Sequence, residues 1–484
     1  MKVMTPPAGT AAPAEPAEPT GRVRRRLTRP ELILAVPAVL IAVTSILRWV
    51  NGHASIDLVV YDQGLWALSR GLKPWSSVIQ ETLLEDHFGP GVLGFGLLYR
   101  LVASPVWLLV AQAAAAWWSV RLLARRLAPR VGELQASVVG AALLLSPPVA
   151  YALLFDFHSV VLAVPFALTA MLALEDGQPR RALLFGFAAA LFRVEVGVAV
   201  AVAFAVWPGS RRGRLRTGAA LAAYLLVALY FEKALGHDSY WPVHFGYLGA
   251  SPVAALRHPF RLVHAFLAPD NLFKALPWLA TGAFMALRRP RRLIPTAVVA
   301  LPVLLSQWPG TAGIQFQYGY APTLLLALAW LPVVEDRPDR SRHVVAACVL
   351  LAVLLGPVVP GLVMHPPLGS FAGQYWVPNG EARCIVGGIP ESASLSGTEP
   401  ITEATHRRQL FLWPYPFRGP SPAVLPGAYL ARGDAALAAG VDYVVVDRKA
   451  ADLVPAGFVP DGESPHYLRF RRADSTTASV TNCS

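Results

Sequence analysis

The sequence predicts a mainly α-helical protein that crosses a membrane many times and ends in a small α/β domain. Three observations carry that expectation. Mean hydropathy is +0.46. Charged residues make up 15% of the 484 and hydrophobic ones 55%, where a soluble chain carries about 25% charged. Several apolar runs reach the ~18 residues that a bilayer core demands, and they stop near Met364, where Pro, Gly and charged residues take over.

Residues 1–29 begin "MKVMTPPAGTAAPAEPAEPT", too poor in apolar residues to bury a core, and are expected to be a disordered, basic cytoplasmic N-terminus. "RVRRRLTR" then precedes "ELILAVPAVLIAVTSILRWV". A signal peptide also has basic residues before an apolar run. This run is long and lacks a small-residue cleavage site, so it is expected to stay as a first span.

Basic clusters at Arg22–Arg29, Arg121–Arg130, Arg180 with Arg181, Arg211–Arg216, Arg288–Arg292 and Arg337–Arg342 alternate with the apolar runs. Lys and Arg accumulate in cytoplasmic connections, so these clusters lie inside and each interval between them holds an even number of spans. Eleven spans result, at about 31–50, 104–123, 134–154, 158–174, 182–193, 196–207, 217–235, 272–288, 293–308, 318–334 and 343–363. They make up a transmembrane domain over 30–363 with an outer loop at 51–103. Within that loop, "HFGPGVLGFGLLYRLV" is apolar but too short to cross, and an interfacial helix over 88–102 keeps the charge pattern intact. Topology thus explains the net charge of +12, so the expected partner is the lipid bilayer and not nucleic acid.

The threading gathers the unusual residues on the outer side. Asp57, Asp62, Glu81, Glu85, Asp86 and His87 follow the first span, and "LFDFHSV" puts Asp156 and His158 at an outer hairpin. "LFRVEVG" brings Arg193 and Glu195, "GHDSYWPVHFGY" brings His237, Asp238, Tyr240 and His244, and "GIQFQYGYAP" brings Gln315, Gln317, Tyr318 and Tyr320. Ordinary roles compete for each. Trp66, Trp75 and Trp241 suit an aromatic belt, Asp57 and Glu81 suit solvated loops, Arg193 and Glu195 suit a mutual pair, and Asp156 with His158 suits a turn cap. Ionisable groups near membrane depth nonetheless point to function. No Walker loop, GxSxG elbow, HExxH pair or GxGxxG turn is present. Cys348, Cys384 and Cys483 lack the spacing of a zinc or haem site.

Residues 364–484 read as an extracytoplasmic α/β domain with a partly parallel sheet. "SASLSG" and "QLFLWP" suit strands and "PITEATHRR" a helix, while "GDAALAAGVDYVVVDRK" suits a helix and then a buried strand at Tyr443–Asp447. "HYLRFRRA" adds an edge strand. An oxidising exterior permits a Cys384–Cys483 disulfide.

"YDQGLWALSRG", "DHFGPG", "LFDFHSV", "FRVEVGVAVA" and "QYGYAP", in this order, resemble a family of bacterial multi-pass membrane proteins, domain of unknown function 2079. The resemblance spans roughly 35–450 and includes "THRRQLFLWP" and "VDYVVVD". That family usually has Lys/Arg-Glu-Asp where this chain has Arg193, Val194 and Glu195, and Ser where it has Gly89. The family is similar in layout to the GT-C glycosyltransferases. The likeness implies a GT-C-like enzyme of the bacterial plasma membrane, with its N-terminus inside and its C-terminal domain outside. It implies transfer of a sugar from a polyprenyl-phosphate carrier to an acceptor on the outer face, with inversion. Asp62 is then the catalytic carboxylate and Asp86 its helper, and the two would be the ligands of a Mg²⁺ or Mn²⁺ ion if one is used. Arg193 and His87 would hold the leaving phosphate, and Asp156, His158, Glu195, Gln317 and Tyr318 would complete the substrate surface. The rival expectations are a non-catalytic scaffold and a lipid or solute transporter. The transporter is disfavoured because the acids lie outside and not at mid-membrane.

Overall fold

The computed structural model describes residues 29–207, 211–234, 241–308, Thr311, 316–355, 380–413, 440–474 and 481–483. It is mostly helical, with a small C-terminal sheet region. The first apolar run is α1 (Arg29–Val50). The expected outer loop, 51–103, is more ordered than its composition suggests: α2 (Ile56–Ser69) leads to a two-stranded ribbon, β1 (Trp75–Ser76) and β2 (Glu81–Thr82), and then to α3 (Leu83–Asp86). The expected interfacial segment holds a 3₁₀ turn at Pro90–Gly94 and a short α4 (Phe95–Leu101).

The second apolar run becomes α5 (Val106–Val131) and stays helical through its basic end. α6 (Glu133–Leu144) and α7 (Pro147–Phe155) stand where one straight span was expected, bent by 56°. Pro147 and Pro148 lack the N–H that would continue the ladder. α8 (Ser159–Glu175), α9 (Pro179–Phe192), α10 (Val194–Val206) and α11 (Arg211–Ala234) follow in tight hairpins. Three short helices, α12 (Trp241–Phe245), α13 (Pro252–Leu256) and α14 (Pro259–Leu267), precede α15 (Pro269–Thr281), α16 (Pro290–Leu305), α17 (Tyr320–Asp336) and α18 (Ser341–Leu355). Among the described residues, two helices, α1 and α5, are long and apolar enough to cross a membrane alone, or three if the bent pair is one span. α8, α10 and the Leu215–Phe231 stretch of α11 are apolar but shorter.

α5 packs on α1, α6 and α8, and α10 on α11 and α16. Ala113 and Ala116 of α5 and Ala199 and Ala203 of α10 are buried at these contacts. Small residues let helices approach where lipid offers no hydrophobic drive. One end of the bundle is tied by ion pairs. Arg121 reaches Glu31 at 2.7 Å, Arg126 reaches Glu175 at 3.5 Å and Glu335 at 3.4 Å, Arg289 reaches Asp336 at 2.8 Å, and Arg292 also grips Glu175. The starts of α1 and α16 and the ends of α5, α8 and α17 therefore meet on one face.

After α19 (Gly380–Val386), the described strands are β3 (Leu395–Gly397), β4 (Leu410–Leu412), β5 (Tyr443–Asp447), β6 (Phe458–Glu463), β7 (Tyr467–Arg472) and β8 (Thr481–Asn482). They form a sheet of order β4-β3-β5-β7-β6-β8, parallel from β4 to β5 and antiparallel through β7 and β6. Tyr443 through Val446 are buried on both faces, as a central strand requires. Cys384 of α19 and Cys483 after β8 form a disulfide.

Two expectations for this region change. "PITEATHRR" makes a 3₁₀ turn at Glu399–Glu403 and not a full helix. Arg407 reaches back to the carbonyls of Ala404 (2.8 Å) and Ala393 (3.0 Å) and ties the connection into a turn. "HYLRFRRA" supplies β7, which lies inside the sheet between β5 and β6 and not at an edge. Its Arg469 is fully buried against Asp461 at 3.0 Å. The expected helix at 433–440, the end of the eleventh span, His237, Asp238, Tyr240 and Gln315 lie outside the described residues.

Candidate functional site

The site is built on α2. Every residue from Leu58 to Ala67 is buried, so the helix sits inside the protein and its polar side chains need partners there. Its N-terminus is held by Asp156, in the turn between α7 and α8. Oδ2 of Asp156 accepts the Leu58 N–H at 2.9 Å and the Ser55 hydroxyl at 2.7 Å. A carboxylate at free helix N–H groups is favourable. Arg48 of α1 approaches Oδ1 at 3.4 Å and donates to the Leu154 carbonyl at 3.1 Å. Burial pushes the Asp156 carboxyl up to about 6, against the pull of Arg48 and with help from the Asp57 charge.

Gln112 of α5 steadies the same turn. Its amide donates to the Leu153 and Asp156 carbonyls at 3.0 and 2.9 Å and accepts the His158 N–H at 2.9 Å. His158 meets Asp57 at 3.1 Å through Nε2 and stacks on Phe155 at 5.9 Å. Phe155 in turn packs edge-on against Phe316 at 4.7 Å, which brings the turn with Gln317 and Tyr318 to α7.

Farther along α2, Asp62 is 2% exposed. Tyr99 of α4 donates to its Oδ1 at 2.8 Å, and the Thr405 hydroxyl donates to Oδ2. His406 Nε2 lies 3.3 Å from Oδ1 and 3.2 Å from Oδ2. Burial, then the charge and hydrogen bond of Asp62, hold the Tyr99 phenol well above its usual range, so it stays a donor. Burial alone would lower the His406 imidazole, but its hydrogen bond to Asp62 and that charge outweigh it and the net shift is upward. The imidazole lies parallel to the Trp66 indole, 6.0 Å between centroids and 3° between planes, and Arg70 sits over the same indole at 5.8 Å.

Gln63 locks this arrangement to the sheet region. It donates to the Arg407 carbonyl at 2.8 Å and to Ser77 at 3.0 Å, and it accepts from Ser76 and the Ser77 N–H. Ser77 donates to the Leu410 carbonyl at 2.8 Å and accepts the Leu410 N–H at 2.7 Å. The loop between α1 and α5 and the C-terminal region therefore share one buried polar seam.

α3 rests on α2: a Cβ on Gly64 would meet Leu83 at 2.7 Å. Thr82 and Glu85 form a reciprocal cap at its start. Of Asp86, the last residue of α3, the side chain lies outside the described residues. Beyond His87, a Cβ on Gly89 would come 2.8 Å from the Phe192 carbonyl, so the Ser usual at this place would need the backbone to move. This contact carries the His87 segment to the α9–α10 junction, where Arg193 pairs with Glu195 at 3.0 Å.

The structure thus joins the expected residues in three groups at the end of the bundle away from the ion-paired face. Asp156, His158 and Asp57 fix the start of α2, with Gln317 and Tyr318 beside α7. Asp62 forms a second group with Tyr99, Thr405 and His406. The Gly89–Gly91 stretch after His87 packs on the turn with Arg193 and Glu195. Sequence reasoning missed Tyr99, Thr405 and His406. Thr405 and His406 stand in the "THRRQLFLWP" segment, but nothing local ties them to an aspartate more than 340 positions earlier. Of the expected metal pair, the Asp86 side chain lies outside the described residues, and Asp62 is already engaged by protein groups. Hydroxyl and imidazole donors occupy both oxygens, and among the described residues no group of three His, Cys, Asp or Glu side chains converges.

Two solved structures share the fold. ArnT from Cupriavidus metallidurans bound to undecaprenyl phosphate aligns with a TM-score of 0.54 at 15% identity, covering 93% of this chain and 98% of that one. The apo form of ArnT aligns with a TM-score of 0.51 at 14% identity, covering 90% and 98%. The archaeal oligosaccharyltransferase AglB from Archaeoglobus fulgidus aligns with a TM-score of 0.42 at 12% identity, covering 86% and 69%. A search of curated proteins found no match. Residues 52–413 match the family described as a predicted membrane protein, DUF2079. With well over half of its length matched, the chain belongs to the DUF2079 family, and it shares the fold of ArnT.

Proposed function

We propose that this protein is a membrane glycosyltransferase that moves a sugar from a polyprenyl-phosphate carrier to an acceptor hydroxyl on the outer face of a bacterial plasma membrane. The observation that carries the reading is Asp62. It is a buried carboxylate on α2 of a GT-C-like fold, surrounded by three proton donors from two separate segments. In such a transfer the acceptor oxygen bonds to the anomeric carbon, the carbon–oxygen bond to phosphate breaks, and the electron pair leaves with the phosphate. The acceptor proton must be taken up, and the Asp62 centre is the proposed place. Arg193, with His87 near the same junction, is proposed for the leaving phosphate, and Asp86 for support of Asp62.

The proposed threading keeps eleven spans, with the N-terminus inside and the C-terminal region outside. The ion-paired end carries the basic clusters, which favours the cytoplasm, and the Cys384–Cys483 disulfide suits an oxidising exterior. Reporter fusions after Arg130, Arg216 and Arg292 should score cytoplasmic, and an external score for Arg130 would reverse the assignment.

The test of activity uses the full chain in nanodiscs with a panel of undecaprenyl-phosphate-linked hexoses and pentoses, and reads release of undecaprenyl phosphate. Asp62→Asn should lower release by ~10²–10⁴, the usual scale of loss when a proton-accepting centre is disabled. The saturation of Asp62 by neighbours also suits a non-catalytic scaffold. Turnover of no donor by the wild type, or full turnover by Asp62→Asn, would favour that second reading.

A further inference from the structure

We infer that His406, and not Asp62, is the group that takes the acceptor's proton, and that Asp62 is a positioning residue behind it. The inference rests on the proposed sugar transfer and names which atom of that centre meets the acceptor. Asp62 cannot meet it directly as it stands. The Asp62 side chain is 2% exposed, while that of His406 is 30% exposed, and both Asp62 oxygens already accept hydrogen bonds.

The geometry also sets the tautomer. A carboxylate can only accept, so the imidazole nitrogen facing Asp62, Nε2, carries hydrogen. In the neutral ring Nδ1 then holds the lone pair, and among the described residues no hydrogen bond to Nδ1 occurs. Trp66, stacked parallel to the ring, limits its rotation. Tyr99 and Thr405 hold Asp62 itself in place. A carboxylate that fixes the tautomer of a histidine and steadies its cationic form is a recurrent arrangement in proton-transfer sites.

The step balances without a further reactant. The acceptor O–H gives its proton to His406 Nδ1 as its oxygen bonds to the anomeric carbon. The bond from that carbon to the phosphate oxygen breaks, and the electron pair leaves on the phosphate. The imidazolium that forms remains hydrogen-bonded to Asp62 and loses its proton to solvent. Three charged groups bear on the ring: Asp62 and Glu391 raise its affinity for a proton, and Arg70 lowers it.

Two arms test the inference on the full chain in nanodiscs. In the first, His406→Gln should lower kcat by ~10²–10⁴ with KM little changed. The acidic limb of the wild-type kcat/KM profile should move to lower pH in Asp62→Asn. Turnover by His406→Gln within about threefold of wild type, beside a silent Asp62→Asn, would overturn the inference and leave sugar transfer standing. A wild type that turns over no donor would overturn sugar transfer instead.

The second arm needs no turnover. Diethyl pyrocarbonate labelling of His406, followed by peptide mass spectrometry across pH, reads the accessibility and affinity of the ring. Labelling should occur readily, with a midpoint above the ordinary histidine value that falls in Asp62→Asn. A His406 that resists labelling, or a midpoint indifferent to Asp62→Asn, would overturn the inference whatever the activity result.

Discussion

The two halves of α2 each depend on a buried aspartate, and they use it differently. At the start of the helix, Asp156 meets a backbone N–H, a serine and an arginine that is itself buried. Arg48 and Leu58 are buried and Ser55 is half-buried. Farther along, Asp62 meets a tyrosine, a threonine and a histidine, and the histidine is partly open to the outside. Burial does not distinguish the two acids. The partners do: one set anchors a helix, and the other links a buried acid to a partly exposed histidine.

The largest stability effect should come from the anchoring end. Asp156→Ala leaves Arg48 buried without its carboxylate and the α2 N-terminus without its acceptor, which costs about 3–5 kcal/mol. A fall in melting temperature in detergent would register this, and an unchanged value would break the distinction between the two ends. Next in size is the covalent tie in the sheet region. Reducing the Cys384–Cys483 bridge, which closes a loop of sequence separation 99, should cost about 2–5 kcal/mol. Faster limited proteolysis after Cys483→Ser would report it. Gly89→Ser, forced against the Phe192 carbonyl, should cost about 1–3 kcal/mol, read as a smaller melting shift.

The smallest effect is a pH dependence at the Asp62 end. The folded-state affinity of His406 for its proton lies above the ordinary value. Its pairing with Asp62 therefore contributes stability that is fully present below about pH 6.5 and is lost as pH rises through the raised folded value. Melting curves of wild type and Asp62→Asn should therefore differ more on the acid side of that window than on the alkaline side.

What the sequence revealed followed from local physics. The apolar run before Asn51 matches α1 closely, because length and hydropathy alone specify a span. The buried strand at Tyr443–Asp447 was legible from its run of valines. The loop between α1 and α5 was harder to read. α2 mixes Asp57, Asp62 and Gln63 with apolar residues, and it is a buried helix because distant partners satisfy those groups. Asp62 itself stood out as an acid in a greasy setting. Its partners Thr405 and His406 did not, since a contact between residues 62 and 405 leaves no periodicity or spacing in either segment. The bend before α7 was readable in principle from Pro147 and Pro148, but the apolar run through them hid the break.

Asp62→Asn and Asp156→Asn, each nearly unchanged in shape, test the contrast most directly when turnover of undecaprenyl-phosphate-linked sugars and melting temperature are measured on the same preparations. The expected outcome is a double dissociation. Asp62→Asn should lose ~10²-fold or more in turnover with little change in melting temperature. Asp156→Asn should melt markedly lower yet retain most of its turnover per folded molecule. The opposite pattern, an active Asp62→Asn with lowered melting beside a stable but silent Asp156→Asn, would contradict the assignment of chemistry to one half of α2 and anchorage to the other.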